Sequence, residues 1–206
     1  MKKRVIQIFS VLLITALLLC SVLGCSAEAT TPSGDNSEKP YTEYQCDVKF
    51  FALSTSIDID KEGNDFVKVK GNIFTYVTDP LTMYDMNDKK IAYAGDDYHL
   101  ISQDSHVIFV DGNFSCEMVG LVDWFGESYD IYDKTQNKIA KVTFNYHNTS
   151  GQMYDSEYNL IADYSSNYLF NDFNIRIFDR CKLDEKTVLM IFCSYYSDYS
   201  YDVSQE

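Results

Sequence analysis

Apolar and polar positions alternate with a period of two along much of this chain. In Phe66-Val67-Lys68-Val69-Lys70 the valines share one face and the lysines the other, and Ala140, Val142 and Phe144 oppose Lys141 and Thr143 in the same way. Such alternation predicts strands with one buried and one wet face, as in an antiparallel sheet. The strands come in phrases: "SIDIDKEGNDFVKVKG", "LTMYDMNDKKIAYAG", "HVIFVDGNFSCEMVG", "YDIYDKTQNKIAKVTFN", "QMYDSEYNLIADYSS" and "FNIRIFDRCKLDE". Each has an Asp at a strand end behind an apolar or aromatic residue: Asp60, Asp85, Asp111, Asp133, Asp155 and Asp179, at intervals of 22 to 26 residues. Spacing that even marks a repeated unit.

Each unit reads as a hairpin. Asp, Asn and Gly supply turns through side-chain capping and tolerance of positive φ, and Asp111-Gly112 is a direct hairpin signal. Six such units predict about a dozen strands, and a sheet that long curls and closes, which removes its edges. The last unit continues differently. Asp184 is a candidate N-cap with Glu185 in the first turn, and the run Val188-Leu189-Met190-Ile191-Phe192-Cys193 that follows is apolar on every side. A half-wet strand would alternate here, whereas a helix apolar all round must be wrapped by protein. It is too short to span a membrane. The expected fold is therefore mainly β, a closed antiparallel barrel of about twelve strands around a central hydrophobic C-terminal helix, with Tyr195, Tyr196 and Tyr199 near the helix exit.

The N-terminal segment breaks the pattern. Lys2-Lys3-Arg4 precede a mostly apolar run from Val5 to Leu23, the layout of a secretory signal. The run ends in Val22-Leu23-Gly24-Cys25, which resembles the lipobox of bacterial lipoproteins, where the cysteine is diacylated and becomes the new N-terminus. Cys25 is thus the expected lipidation site. Cys20, behind Leu19, is a poorer one. The run is also close to the length of an uncleaved anchor, and either form holds the protein at a membrane; two acyl chains suffice for stable anchoring. From Ser26 to Pro40 there is no large apolar residue, and Pro32 and Pro40 lie here, the composition of a flexible tether. The expected domains are residues 1–24 as signal peptide, 25–43 as lipidated N-terminus and tether, and 44–206 as barrel.

Charge narrows the partners. Without Lys2, Lys3 and Arg4, the 17 basic residues fall to 14 against 31 acidic, a net of −17. That field repels polyphosphate, so nucleic acid is not expected as a partner. Cys46, Cys116, Cys181 and Cys193 allow two disulfides in three connectivities, but no compact pairing occurs. Cys193 sits in an apolar run, where a buried free thiol is the commoner state, and mostly reduced thiols are expected.

No local motif supports catalysis. Gly-x-Ser-x-Gly, His-Glu-x-x-His, a P-loop and Gly-x-Gly-x-x-Gly are missing, and a triad built from distant positions is recognised only by geometry. His99, His106 and His147 read as polar strand residues. Asp58, Asp60, Glu62 and Gly63 mimic the start of a calcium loop, but its twelfth position is Val69 where a bidentate Glu is needed. No metal and no cofactor are expected.

Phe50-Phe51-Ala52-Leu53, Val69-Lys70-Gly71 with Phe74 following, Met83-Tyr84-Asp85-Met86-Asn87, Lys90-Ile91-Ala92, Tyr129-Asp130-Ile131-Tyr132-Asp133 and Ile139-Ala140-Lys141-Val142 stand in one order. Together they resemble the LURP-one-related family, from about Tyr44 to Tyr196. The resemblance implies kinship with Tubby C-terminal and phospholipid scramblase domains, with a twelve-stranded barrel around a central helix. Asn171-Asp172-Phe173-Asn174-Ile175 is similar to the scramblase strand that carries a proposed calcium segment. Where Tubby domains grip phosphoinositide heads with clustered basic side chains, this chain offers Asp96-Asp97. Scaffold does not transmit activity. The leading expectation is a non-enzymatic barrel, lipid-anchored on the extracytoplasmic face of a bacterial membrane, that binds an unidentified protein or lipid ligand or serves the envelope. The alternatives are a scramblase-like lipid-handling protein and a hydrolase with a dispersed site.

Overall fold

Strand pairing in this protein runs full circle. The computed structural model describes residues 40–51, 54–72, 81–96, 105–121, 127–147, 149–167 and 172–205. The chain divides into Met1–Glu38 and Lys39–Glu206. The second unit contains β1 (Tyr41–Phe51), β2 (Ser54–Lys61), β3 (Asn64–Asn72), β4 (Leu81–Asp85), β5 (Lys90–Asp96) and β6 (Ser105–Val110). It continues with β7 (Asn113–Leu121), β8 (Ser128–Tyr132), β9 (Lys138–Phe144), β10 (Ser150–Asp155), β11 (Leu160–Ser166) and β12 (Asp172–Phe178), and ends with the helix α1 (Glu185–Gln205). Each strand pairs antiparallel with its sequence neighbours, and β12 pairs with β1, from Tyr41 opposite Phe178 to Asp47 opposite Asp172. The result is a closed barrel of twelve strands, as the alternation predicts.

The six aspartates do not do the same work. Asp85, Asp133 and Asp155 build one turn three times over. In the first, the Asp85 amide donates to the Lys89 carbonyl at 2.9 Å and the Asp88 amide to the Asp85 carbonyl at 3.0 Å. The Asp85 carboxylate accepts from the amides of Asn87 and Lys89, both at 2.9 Å. Asp133 accepts from Thr135 and Asn137, and Asp155 from Glu157 and Asn159, in the same arrangement. The third residue after each Asp has positive φ: Asp88 at 59°, Gln136 at 62° and Tyr158 at 63°. This is a type I turn closed by a left-handed residue.

Asp111 instead occupies a two-residue turn with Gly112 (φ 48° and 79°), as Glu62 does with Gly63 (φ 51° and 78°). Asp60 stays on β2, paired with Asp65. Asp179 opens the link to the helix, and its amide donates to the Pro40 carbonyl at 3.2 Å. The sixth phrase is therefore a single strand and a link rather than a hairpin; β1 supplies its missing partner. Each of the five hairpins also carries a register shift just before its turn, at Ile59/Asp60, Met83/Tyr84, Ile108/Phe109, Ile131/Tyr132 and Met153/Tyr154. Bulges at these points add the local twist that closure demands.

The helix fills the barrel. Val188, Leu189, Met190, Ile191, Phe192 and Cys193 are each 0% exposed, and their neighbours are the inward residues of the wall. Phe192 stacks on Tyr164 at 5.8 Å between ring centroids, Tyr196 on Phe173 at 4.8 Å and Tyr195 on Phe144 at 3.3 Å. Gly151, opposite Phe144 in the ladder, leaves that ring its space: a Cβ there would lie 2.6 Å from it. Tyr199 lies beyond the residues whose side chains are described.

Phe192→Ala leaves a cavity at the axis and lowers stability by about 3 to 5 kcal/mol in equilibrium denaturation. The Asp133 carboxyl is held at about 2 by its bonds to Thr135 and Asn137. Because this folded-state value lies below the unfolded one, the stability it contributes is present above pH ~4 and lost as pH falls toward ~2. Asp133→Asn should flatten that part of a stability–pH profile; an unchanged slope would contradict the assignment.

Candidate functional site

The end of the barrel that carries the five tight turns is also where the helix enters. Asp184 caps it: its carboxylate accepts from the Lys186 amide at 2.9 Å and its carbonyl from the Val188 amide at 3.2 Å. Glu185 is clamped by two wall residues, accepting from Tyr44 Oη at 2.6 Å and Lys61 Nζ at 2.7 Å. Lys186 reaches Asp111 in the β6–β7 turn at 2.8 Å, and the Thr187 and Ser115 hydroxyls lie 2.6 Å apart. Burial works against ionisation of Glu185, yet the Lys61 and Tyr44 bonds outweigh it and hold the carboxyl below its ordinary value. Burial first, and then the bond to Glu185, push the Tyr44 hydroxyl well above its usual range. The cluster fastens the helix to the wall, with Tyr44 1% exposed.

Shallow clefts lie outside the wall, on β2 and β3 beside the β4–β5 turn. Two adjoining clefts, about 160 and 370 Å3, share Asp58 and Lys68. The smaller adds Asp60, Asp65, Phe66 and Met86, and the larger Lys49, Ser56, Lys70 and Asp88. Cross-strand register places these groups. Asp58 stands opposite Lys68, and Ser56 opposite Lys70. Lys49, on β1, takes Asp58 as its ion-pair partner. Lys70 lies 5.1 Å from the centre of the Tyr84 ring.

Comparison with family models, with curated proteins and with solved structures finds no match. The site must speak through its own chemistry. Neither cleft contains a histidine or a cysteine. His106 is buried on β6, His147 follows β9 with Tyr146 edge-on at 5.3 Å, and His99 lies outside the described residues. Cys46, Cys116, Cys181 and Cys193 are all free. Burial pushes the Cys116 and Cys193 thiols up to about 12, so neither is a thiolate nucleophile near neutrality. The calcium-loop mimic is a tight hairpin, with Asp58 and Asp60 on the strand and Glu62-Gly63 as the turn.

Cys25, the signal segment and Asp97 lie outside the described residues. Sequence reasoning missed the outer groove, whose only local signal was the lysine pair Lys68 and Lys70 on a wet face.

Tyr44→Phe removes the hydroxyl from Glu185 while leaving the ring packed. It should cost about 1 to 2 kcal/mol in urea denaturation with an unchanged m-value.

Proposed function

We propose that this protein is an extracytoplasmic lipoprotein, tethered through Cys25, whose non-enzymatic barrel is a LURP-one-related binding or envelope-associated module. The observation that carries the binding part is the filled interior. With Val188 to Cys193 wholly buried at the axis, a ligand of any size engages the outer wall or the barrel ends. The leader, the Val22-Leu23-Gly24-Cys25 box and the polar stretch to Pro40 support the tether and the address. The ordered segments that resemble the LURP-one-related family support the kinship, together with a barrel closed around a C-terminal helix.

The same packing weighs against the lipid-handling alternative in its simplest form, since an acyl chain entering the axis would have to displace the helix. Among the described residues no helix is long and apolar enough to cross a membrane, so the membrane association proposed here rests on the leader and Cys25.

Cys25→Ser tests the tether. The wild-type protein should partition with membranes and carry acyl chains by mass spectrometry, and the variant should lose the acyl mass and leave the membrane fraction. Membrane retention of an unacylated variant would contradict lipidation as the anchor. Calcium-dependent lipid transfer in liposomes would favour the scramblase-like alternative instead.

A further inference from the structure

Elements leave the ribosome in chain order, and in this domain the one on which the others pack comes after all twelve strands. The five hairpins pair neighbours, but their inward residues have nothing to cover them until α1 is present. A single cluster of buried residues takes in every strand and the helix. Tyr164 stacks on Phe192, Phe173 on Tyr196 and Phe144 on Tyr195, so β11, β12 and β9 each lack their ring partner until then. Closure comes equally late. The free edge of β1 finds its partner only in β12, and the clamp at the turn end joins Tyr44 to Glu185, 141 residues further along the chain. An isolated hairpin is marginal in water, and a partial sheet holds its edges open and its apolar face wet. Contacts so distant in sequence stabilise the chain only after the intervening loop has been closed. No group of strands made before α1 has a core of its own, and strands and helix form one cooperative unit.

We propose that α1 gates folding: the barrel stays open and unfolded until Val188 to Tyr196 are available, and the delay keeps the chain threadable through a protein-conducting channel during export. The export half rests on the lipoprotein reading; the gate does not. The leader at residues 1–24 is made first and the gating segment about 170 residues later, which at ~5 to 20 residues per second separates them by about 10 to 35 s. A subdomain that folded early near the N-terminus would forfeit that interval.

The test follows the full-length precursor through synchronised cell-free translation, with pulses of protease at successive times. Wild-type chains should give no protected fragment while they end before Glu185, and a single protected domain once α1 has been made. Phe192→Asp, which puts a charge at the axis, should yield full-length chains that stay digestible, whereas Phe192→Leu should gain protection on the wild-type schedule. A protected fragment from chains that end before Glu185, or a protected Phe192→Asp domain, would overturn the gate. Inverted bacterial membrane vesicles test the export half. Precursor added straight from denaturant should translocate, the wild type should lose that competence as protection appears, and Phe192→Asp should keep it. Translocation of wild type that is already protected would overturn the link between gate and export. Failure of even the denatured precursor to translocate would overturn the lipoprotein reading and the export half with it, while the protease result decides the gate by itself.

Discussion

Burial of one apolar helix inside a closed wall is the constraint to which the rest of this structure answers. A segment as uniformly apolar as Val188 to Cys193 cannot lie on a water-facing surface without a large transfer cost, and it lacks the length to find that environment in a bilayer. The chain meets the requirement by surrounding the helix with inward residues from successive strands: Ile59, Val69, Met83, Ile108, Met118, Ile131, Val142, Met153, Ala162 and Ile175, all 3% exposed or less. Closure and plug depend on each other. Without the helix the barrel would enclose a void, and without the last β1–β12 pairing both edges of the sheet would be open to other strands.

The wall's regularity follows from local chemistry repeated. An Asp that accepts two backbone amides, followed three residues later by a left-handed residue, fixes both the turn and the register of its hairpin. Each turn is preceded by a bulge that tightens the twist. Turn ends and helix start are then stitched together by Glu185 with Tyr44 and Lys61, and by Lys186 with Asp111. The arrangement ties the start of the helix to the wall at the end that carries the hairpin turns.

Much of this architecture was legible in the sequence because its causes are local. Alternation marked the strands, the Asp-centred phrases marked the hairpins, and the all-apolar run marked the plug. What escaped depends on contacts between residues distant in the chain. The phrase that contains Asp179 looks like the other five, but only the pairing of Tyr41 with Phe178 reveals that its partner is the first strand. The groove was hidden for the same reason: Asp60 and Asp65 are near in sequence, yet that they face each other, and that the turn at Met86 borders them, is a property of the folded sheet.

The central claim is most directly tested by native-state hydrogen exchange of the amides from Val188 to Cys193. A helix sealed in the barrel exchanges only when the whole domain opens, so its protection should equal the global unfolding free energy and fall in parallel with it as denaturant is added. Exchange of that segment within seconds under native conditions, while the strands stay protected, would show the helix outside the wall and contradict the account.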